Sequence, residues 1–426
     1  MTIHRRDFTG LMAGLIGGLA IPRLESPPAA DCDPLPKPIA ALKPMTAGAV
    51  PIGDAERAQR REQARRLMRE QRLDAIVLEP GTSCTYYFGD IDWWLSERPL
   101  LVVLPAEGEP AWVCPGFEED RARELTGATS DVRVWQEDES PYALVAAFLR
   151  ERGKATGRIG LEERLRCFIA DGIRDAMPGA GFASATPVTA GCRMHKSAAE
   201  LALMQRATDI TMAAFKAAIP TIRQGMTQAA LAKNMSAAMT RLGGDDPWAL
   251  ILFGANSAFP HGTKAPYTLK PGDIVLMDCG CGFMGYQSDV TRTTVFGKPS
   301  ARQRQVWELE HRAQDAAFRA AQVGVPCEAV DAAARQVLTD AGFGPGYKLP
   351  GLPHRTGHGI GMDGHEWTNF VRGNRTPIAP GMCFSDEPMI AIYGEFGVRL
   401  EDCLYITESG PRFFTTPSPA IDRPFA

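Results

Sequence analysis

The chain lacks a Cys-x-x-Cys pair, although it holds ten cysteines (Cys32, Cys84, Cys114, Cys167, Cys192, Cys279, Cys281, Cys327, Cys383 and Cys403). The spacing of a structural thiolate zinc site is therefore missing. Cys279 and Cys281 come nearest to it, but they lie in an apolar, strand-like run and read as small core side chains. Disulfide pairing stays open, since connectivity cannot be read from spacing. An excess of positive charge is missing too. Lys and Arg number 46 against 50 Asp and Glu, a net charge of -4, which argues against nucleic acid or an anionic membrane as the main partner. The apolar stretch at residues 11–21 is too short to serve as a stable membrane anchor. Histidine is scarce, with seven in the whole chain, and no repeat of fixed period is visible. What the chain has in quantity is glycine (42) and proline (33), which fits many turns rather than a helical bundle. With 426 residues, 45% hydrophobic and 23% charged, it is long enough for two or three domains, each with its own core.

The first residues set Arg5-Arg6-Asp7-Phe8 ahead of that short apolar, Gly-rich stretch. Residues 1–30 thus resemble a twin-arginine export signal, which carries proteins already folded and implies a periplasmic or secreted protein. Read instead as a plain N-terminal extension, they would leave the chain in the cytoplasm. Residues 31–53 are rich in Pro and Ala and are expected to be an unstructured linker.

A helix capped by Asp54 is expected over residues 54–73. Residues 74–79, 100–104, 111–114 and 158–162 read as strands, and 117–125, 142–152 and 164–177 have helical spacing. That alternation predicts a small α/β domain with a mixed sheet over residues 54–192. It contains no metal-ligand cluster and no phosphate loop. Its tract Tyr86-Tyr87-Phe88-Gly89 and the pair Trp93-Trp94 suit either core packing or a rim for substrate or a partner chain. From residue 193 the pattern changes. Ser197 begins a helix to about 219, with Glu200 three residues on as a capping box. Further helices are expected over 227–242, 301–323 and 327–341, and strands over 274–278, 288–296, 382–390 and 398–406. The order helix, helix, strands occurs twice. It predicts an α+β domain over 193–426 built from duplicated ααββ units, with helices on one face of a sheet.

Four acids interrupt runs that otherwise want to be buried. Asp278 ends the apolar run Ile274-Val-Leu-Met, and Asp289 follows eleven residues later, across a turn that would bring the two side by side. Glu387 and Glu401 sit on the next two apolar strands. Adjacent buried carboxylates repel unless a proton or a cation lies between them, and four on one sheet favour the cation. His358, in His354-Arg-Thr-Gly-His-Gly-Ile-Gly361, adds an imidazole to the set. One imidazole with carboxylates suits Mn²⁺, Zn²⁺, Co²⁺ or Fe²⁺. Five such ligands can hold two metals about 3.5 Å apart, which activate water and polarise a carbonyl, the chemistry of amide hydrolysis. His261 and His365 are candidates to donate to an oxyanion or to shuttle a proton.

Residues 193–410 resemble the pita-bread metallopeptidases, the group of methionine aminopeptidase, aminopeptidase P, prolidase and creatinase. The resemblance rests on His261, on Asp278 and Asp289 with Thr291-Arg-Thr293, on His354 with His358-Gly-Ile-Gly361, on Glu387-Pro388, and on Arg399 with Glu401-Asp402. It implies that Asp289 and Glu401 bridge two divalent metals, manganese ahead of zinc, cobalt or iron. Asp278 would complete one site, and His358 with Glu387 the other. A hydroxide bridging the metals would be the nucleophile, with Glu387 accepting its proton. His261 and His365 would hold substrate and intermediate, His354 would lie near the peptide, and Arg399 would stand behind the ligands. The N-terminal domain, the Lys196-Ser197 junction and Tyr87-Phe88-Gly89 resemble the aminopeptidase P, prolidase and creatinase branch. That branch implies a proline-containing peptide substrate, an Xaa-Pro aminopeptidase or dipeptidase activity, and a homodimer. Met389 replaces the glycine usual after the Glu-Pro pair, at the pocket wall. Two other readings remain: hydrolysis of another small amide or C–N substrate on the same metals, and a silent peptide-binding module.

Overall fold

The structure, a computed structural model, describes residues 34–425, so the expected export signal lies outside the described residues. The expectation of an unstructured linker up to residue 53 is corrected. A short helix α1 (Lys37–Ala40) buries Ile39 completely, the Met45 N–H donates to the Leu242 carbonyl (2.7 Å), and Arg241 donates to the Ala40 carbonyl (2.9 Å). Pro38 sits in the first turn of α1, where a proline needs no hydrogen-bonded N–H, and the buried Ile39 gives the segment a surface to cover.

Helix α2 (Asp54–Gln71) has Gly53, not Asp54, as its N-cap. Asp54 is the first helical residue and pairs with Arg57 (2.9 Å), where its charge still favours the helix dipole. The first sheet follows: β1 (Ala75–Leu78), β2 (Leu101–Pro105), β3 (Ala111–Pro115), β4 (Asp131–Trp135), β5 (Arg158–Leu161) and β6 (Gly181–Ser184). Its order is β4-β3-β2-β1-β5-β6, with parallel and antiparallel pairs mixed. Helices α3 (Thr82–Phe88), α4 (Glu119–Thr126), α5 (Pro141–Glu151), α6 (Cys167–Ala176) and α7 (Thr186–Arg193) complete this part. The expected strands of this part are present. The sequence reading passed over β4, β6 and α7, whose short segments show no sustained periodicity. Tyr86 and Tyr87 lie in α3 and are buried core, while Trp94 is exposed.

The second sheet is antiparallel throughout. It comprises β7 (Asp245–Phe253), β8 (Ile274–Phe283), β9 (Tyr286–Gln287), β10 (Val290–Val295), β11 (Gly357–Gly359), β12 (Glu366–Phe370), β13 (Cys383–Asp386), β16 (Glu401–Thr407) and β17 (Gly410–Phe413), in the order β12-β11-β13-β16-β10-β8-β7 with β17 beside β16 and β9 beside β8. Strands β14 (Met389–Ile392) and β15 (Phe396–Arg399) form a separate two-stranded sheet, and Ala391 of β14 also bridges to Gly351. The expected single strands over 382–390 and 398–406 therefore each break in two. The first breaks at Glu387-Pro388, where proline has no N–H for the ladder. The second breaks at Leu400. Helices α8 (Ala198–Ala218), α9 (Gln228–Leu242), α10 (Ala301–Ala320) and α11 (Cys327–Asp340) pack on the sheet. Ser197 and Glu200 close the expected capping box at α8. Cys279 and Cys281 are free and fully buried, and Cys281 lies against Thr211 of α8, so this pair is core and not a ligand set.

Candidate metal centre

Strand register places the first functional row. Leu250 on β7 faces Asp278 on β8, Asp278 faces Thr291 on β10, and Thr291 faces Glu401 on β16. Asp289, two residues before Thr291, shares that face because side chains alternate along a strand. Glu387 follows the end of β13, and His358 is the middle residue of β11. Gly280 keeps the neighbouring surface open: a Cβ there would come within 2.8 Å of the Trp248 ring and 2.0 Å of the Ser288 carbonyl.

All nine residues singled out by the sequence reading, His261, Asp278, Asp289, His354, His358, His365, Glu387, Arg399 and Glu401, line one cavity of about 620 Å³. Its remaining walls come from Trp248, Leu250, Arg355 and Gly364. One ligand atom each from Asp289, His358 and Glu401 lies within 4.8 Å of the other two. His358 Nε2 stands 3.2 Å from Glu387 and 3.7 Å from Asp289. Its Nδ1 is 3.0 Å from the Gly359 carbonyl, which directs Nδ1–H to that carbonyl and aims Nε2 at the carboxylates, where it donates to Glu387 without a cation and offers its lone pair to one. Arg399 pairs with Asp278, donates to Thr291 Oγ1 (3.1 Å) and to the Pro260 carbonyl (3.2 Å), and so ties the His261 loop to the site. Thr291 donates in turn to Glu401 (2.6 Å).

The charge on this face is not balanced by protein. Four carboxylates meet one guanidinium. Burial first, then Glu401 and Asp278, push Asp289 well above the usual carboxylate range. Burial, then Glu387 and Asp278, do the same to Glu401. Asp278 is raised by burial, with Arg399 opposing. Glu387 behaves oppositely. Burial would raise it, but the hydrogen bond and charge of His358, with His354 and Arg399, hold it below its ordinary value. One oxygen each of Asp278, Asp289 and Glu401 is buried with no hydrogen-bond partner. Orphaned acceptors of this kind, an exposed imidazole lone pair and hard oxygen donors fit divalent cations.

Two further histidines are held by their Nδ1 atoms. Arg355 lies 2.6 Å from His365 Nδ1, which leaves the proton on Nε2, and burial, then His358 and Arg355, lower His365 to about 4. His354 Nδ1 lies 2.7 Å from the Arg355 carbonyl, and its buried Nε2 has no partner. The His365 ring stacks on His358 at 3.7 Å between centroids. Trp248, Leu250 and Arg355 were missed by the sequence reading. Trp248 and Leu250 ride on β7, whose Asp245-Asp-Pro247 start reads as a turn, and Arg355 stood inside the quoted His354–Gly361 tract without a role.

Comparison with known proteins agrees with this architecture. Residues 202–408 match the model of metallopeptidase family M24, and residues 60–195 match that of the creatinase/prolidase N-terminal domain. The Xaa-Pro dipeptidase of Lactobacillus helveticus is 33% identical over 326 residues, 75% of this chain and 86% of that one. The crystal structure of dipeptidase PepE from Mycobacterium ulcerans superposes with a TM-score of 0.80 at 33% identity, covering 86% of this chain and 97% of that one. The prolidase from Thermococcus sibiricus gives 0.76 at 28% identity, over 84% and 96%. Register, cavity and sequence matches agree: the chain belongs to metallopeptidase family M24, as a metal-dependent peptidase with a creatinase/prolidase N-terminal domain ahead of its metallopeptidase domain.

Proposed function

We propose that the chain is a dinuclear exopeptidase that hydrolyses Xaa-Pro peptides, with residues 54–192 as the N-terminal domain and 193–426 as the catalytic one. The observation that carries this reading is the cluster of orphaned carboxylate oxygens and the His358 lone pair at the floor of the cavity. Asp278, Asp289, His358, Glu387 and Glu401 would hold the two cations, Mn²⁺ first. When bound, the cations polarise the scissile carbonyl and acidify water at the site.

The side chains supply the rest. Glu387 stays ionised and is steadied by the Ser385 hydroxyl (3.1 Å), so it can take the proton of the attacking water. His365, neutral with its proton on Nε2, offers a donor to the carbonyl oxygen as negative charge develops there. His261, on the loop held by Arg399, stands on the same cavity wall and can share that task. The unpartnered His354 Nε2 can accept a hydrogen bond from the peptide. Trp248 and Leu250 offer an apolar wall that suits a proline ring. The relatives named Xaa-Pro dipeptidase and prolidase support the same substrate class.

The test is a panel of Xaa-Pro dipeptide, Xaa-Pro-Yaa tripeptide and Xaa-Ala dipeptide on Mn²⁺-loaded protein. Turnover of the proline dipeptide above the other two is expected. Preference for the tripeptide would make it an aminopeptidase, and turnover of neither proline substrate would overturn the proposal.

A further inference from the structure

The segment that leads from β11 into the start of β12, residues 360–366, carries His365; besides backbone hydrogen bonds to Gln287 (2.8 Å) and Cys383 (3.2 Å), it is held by charged side chains. Glu366 turns its carboxylate back into the loop, where Oε1 accepts from the backbone N–H of Met362 (3.1 Å) and Asp363 (3.3 Å). Its Oε2 receives Lys196 Nζ at 2.9 Å, and both side chains are 2% exposed. A Cβ on Gly361 would lie 2.6 Å from Glu366 Oε2 and 2.7 Å from Lys196 Cε, so the loop closes over the ion pair only because residue 361 is glycine. Arg193 adds a second tie, 2.9 Å from Asp363 and 3.7 Å from Glu366. The first domain adds more: Thr82 donates to Asp363 Oδ1 (2.7 Å), and Arg164 stands 3.0 Å from Asp363 Oδ2. None of these side chains lines the cavity, and none is needed to hold a cation.

We propose that Lys196 and Arg193, at the junction ahead of α8, are positioning residues: through Glu366 and Asp363 they hold the 360–366 loop and thereby fix His365 over His358. The junction so couples the first domain to the site. Thr82, Arg164 and Arg193 all grip Asp363, while Lys196 grips Glu366. A buried pair of this kind does little for net stability, but losing one partner leaves the other charged and unpaired, and the loop it closes shifts. Displacement of a reacting group by about 1 Å costs on the order of a hundredfold in rate.

This inference rests on the role given to His365 above, so its test includes a readout that needs no turnover. Lys196→Met, Lys196→Arg and Asp363→Asn are compared with the full-length protein for kcat and KM on an Xaa-Pro dipeptide, bound Mn²⁺, and amide hydrogen exchange. Lys196→Met should lose about a hundredfold in kcat with little change in KM or bound metal. Lys196→Arg should recover most of the loss, and Asp363→Asn should lose about tenfold. In the slowed variants the amides of Met362 and Asp363 should exchange faster while those of β16 are unchanged. If Lys196→Met does not fold, Asp363→Asn decides, because Asp363 lies nearer the surface (side chain 17% exposed). A folded Lys196→Met or Asp363→Asn protein with wild-type kcat and unchanged exchange at 362 and 363 overturns the assignment. If the wild-type protein itself turns over no Xaa-Pro peptide, the functional proposal falls, and the exchange data still decide whether the clamp exists.

Discussion

At the scale of single residues, the site is a contest between burial and charge. Asp289 is raised by burial and by two neighbouring carboxylates. Removing its charge should therefore have opposite effects on two forms of the protein. Asp289→Asn should abolish Mn²⁺ binding and turnover together, because one of the proposed ligand carboxylates is lost. The same change should leave the metal-free protein more stable than wild type, on the order of 1 kcal/mol, since one buried repulsion is gone. Metal analysis and urea unfolding in chelator check both halves. Retained metal with full turnover would refute the ligand assignment. His365→Ala is the complementary case. It should keep its metal and lose about a hundredfold in kcat, the usual scale for one oxyanion donor, and steady-state kinetics beside metal content would show whether the two effects separate. The acids were legible in the sequence because each breaks an apolar run, and burying a carboxylate without a partner is expensive. Arg355 was not legible: a charged residue in a glycine-rich turn leaves no pattern, and only the fold shows that it lies against His365.

At the scale of elements, the helices of the second domain were readable because their starts carry local chemistry. Ser197 accepts from the Glu200 N–H (3.2 Å) while the Glu200 carboxylate accepts from the Ser197 N–H (2.8 Å), and Ser300 with Gln303 repeats the device at α10. Ser197→Ala should cost about 1 kcal/mol in urea unfolding, the typical worth of such a cap. Loss of the Ser197 hydrogen bond to Glu56 (2.8 Å) should add slightly to it. An unchanged unfolding midpoint would show that the cap contributes nothing here. Strand limits were harder. A continuous apolar run looks the same whether it stays in one sheet or leaves it. The breaks at Pro388 and Leu400 are decided by where β14 and β15 find each other, a long-range fact. Yet those breaks matter, because Glu387 occupies the first and Arg399 and Glu401 flank the second. β7 was lost for a different reason: its Asp245-Asp-Pro247 start reads as a turn and draws attention away from the apolar run Trp248–Phe253 behind it.

At the scale of the whole molecule, the unbalanced carboxylates predict how stability depends on pH and metal together. Asp289 and Glu401 bind protons more tightly folded than unfolded. Their contribution is fully present below the ordinary carboxylate range of about 4 and is lost as pH rises through their raised folded values. Glu387, held low, works the other way, but its contribution is lost only as pH falls below about 4, outside the neutral window. The metal-free protein should therefore lose stability from about pH 5 to pH 8. The loaded protein should not follow, because ligands bind cations only when deprotonated, so affinity grows over the same range. Glu162, also raised by burial, lies in the first domain and tilts both forms alike, whereas Glu310 and Asp386 feel Arg399 and the site's acids and belong to its response, so the difference between forms measures the site. Scanning calorimetry of the full chain at several pH values, in chelator and in Mn²⁺ at one fixed concentration about 100 times the Kd at pH 8, should show a gap that widens with pH, reaching about 2.7 kcal/mol per bound cation at pH 8. A metal-free protein that gains stability from pH 5 to 8 in parallel with the loaded one would mean that these carboxylates are neutralised by something within the chain, and the cation would lose its reason to bind.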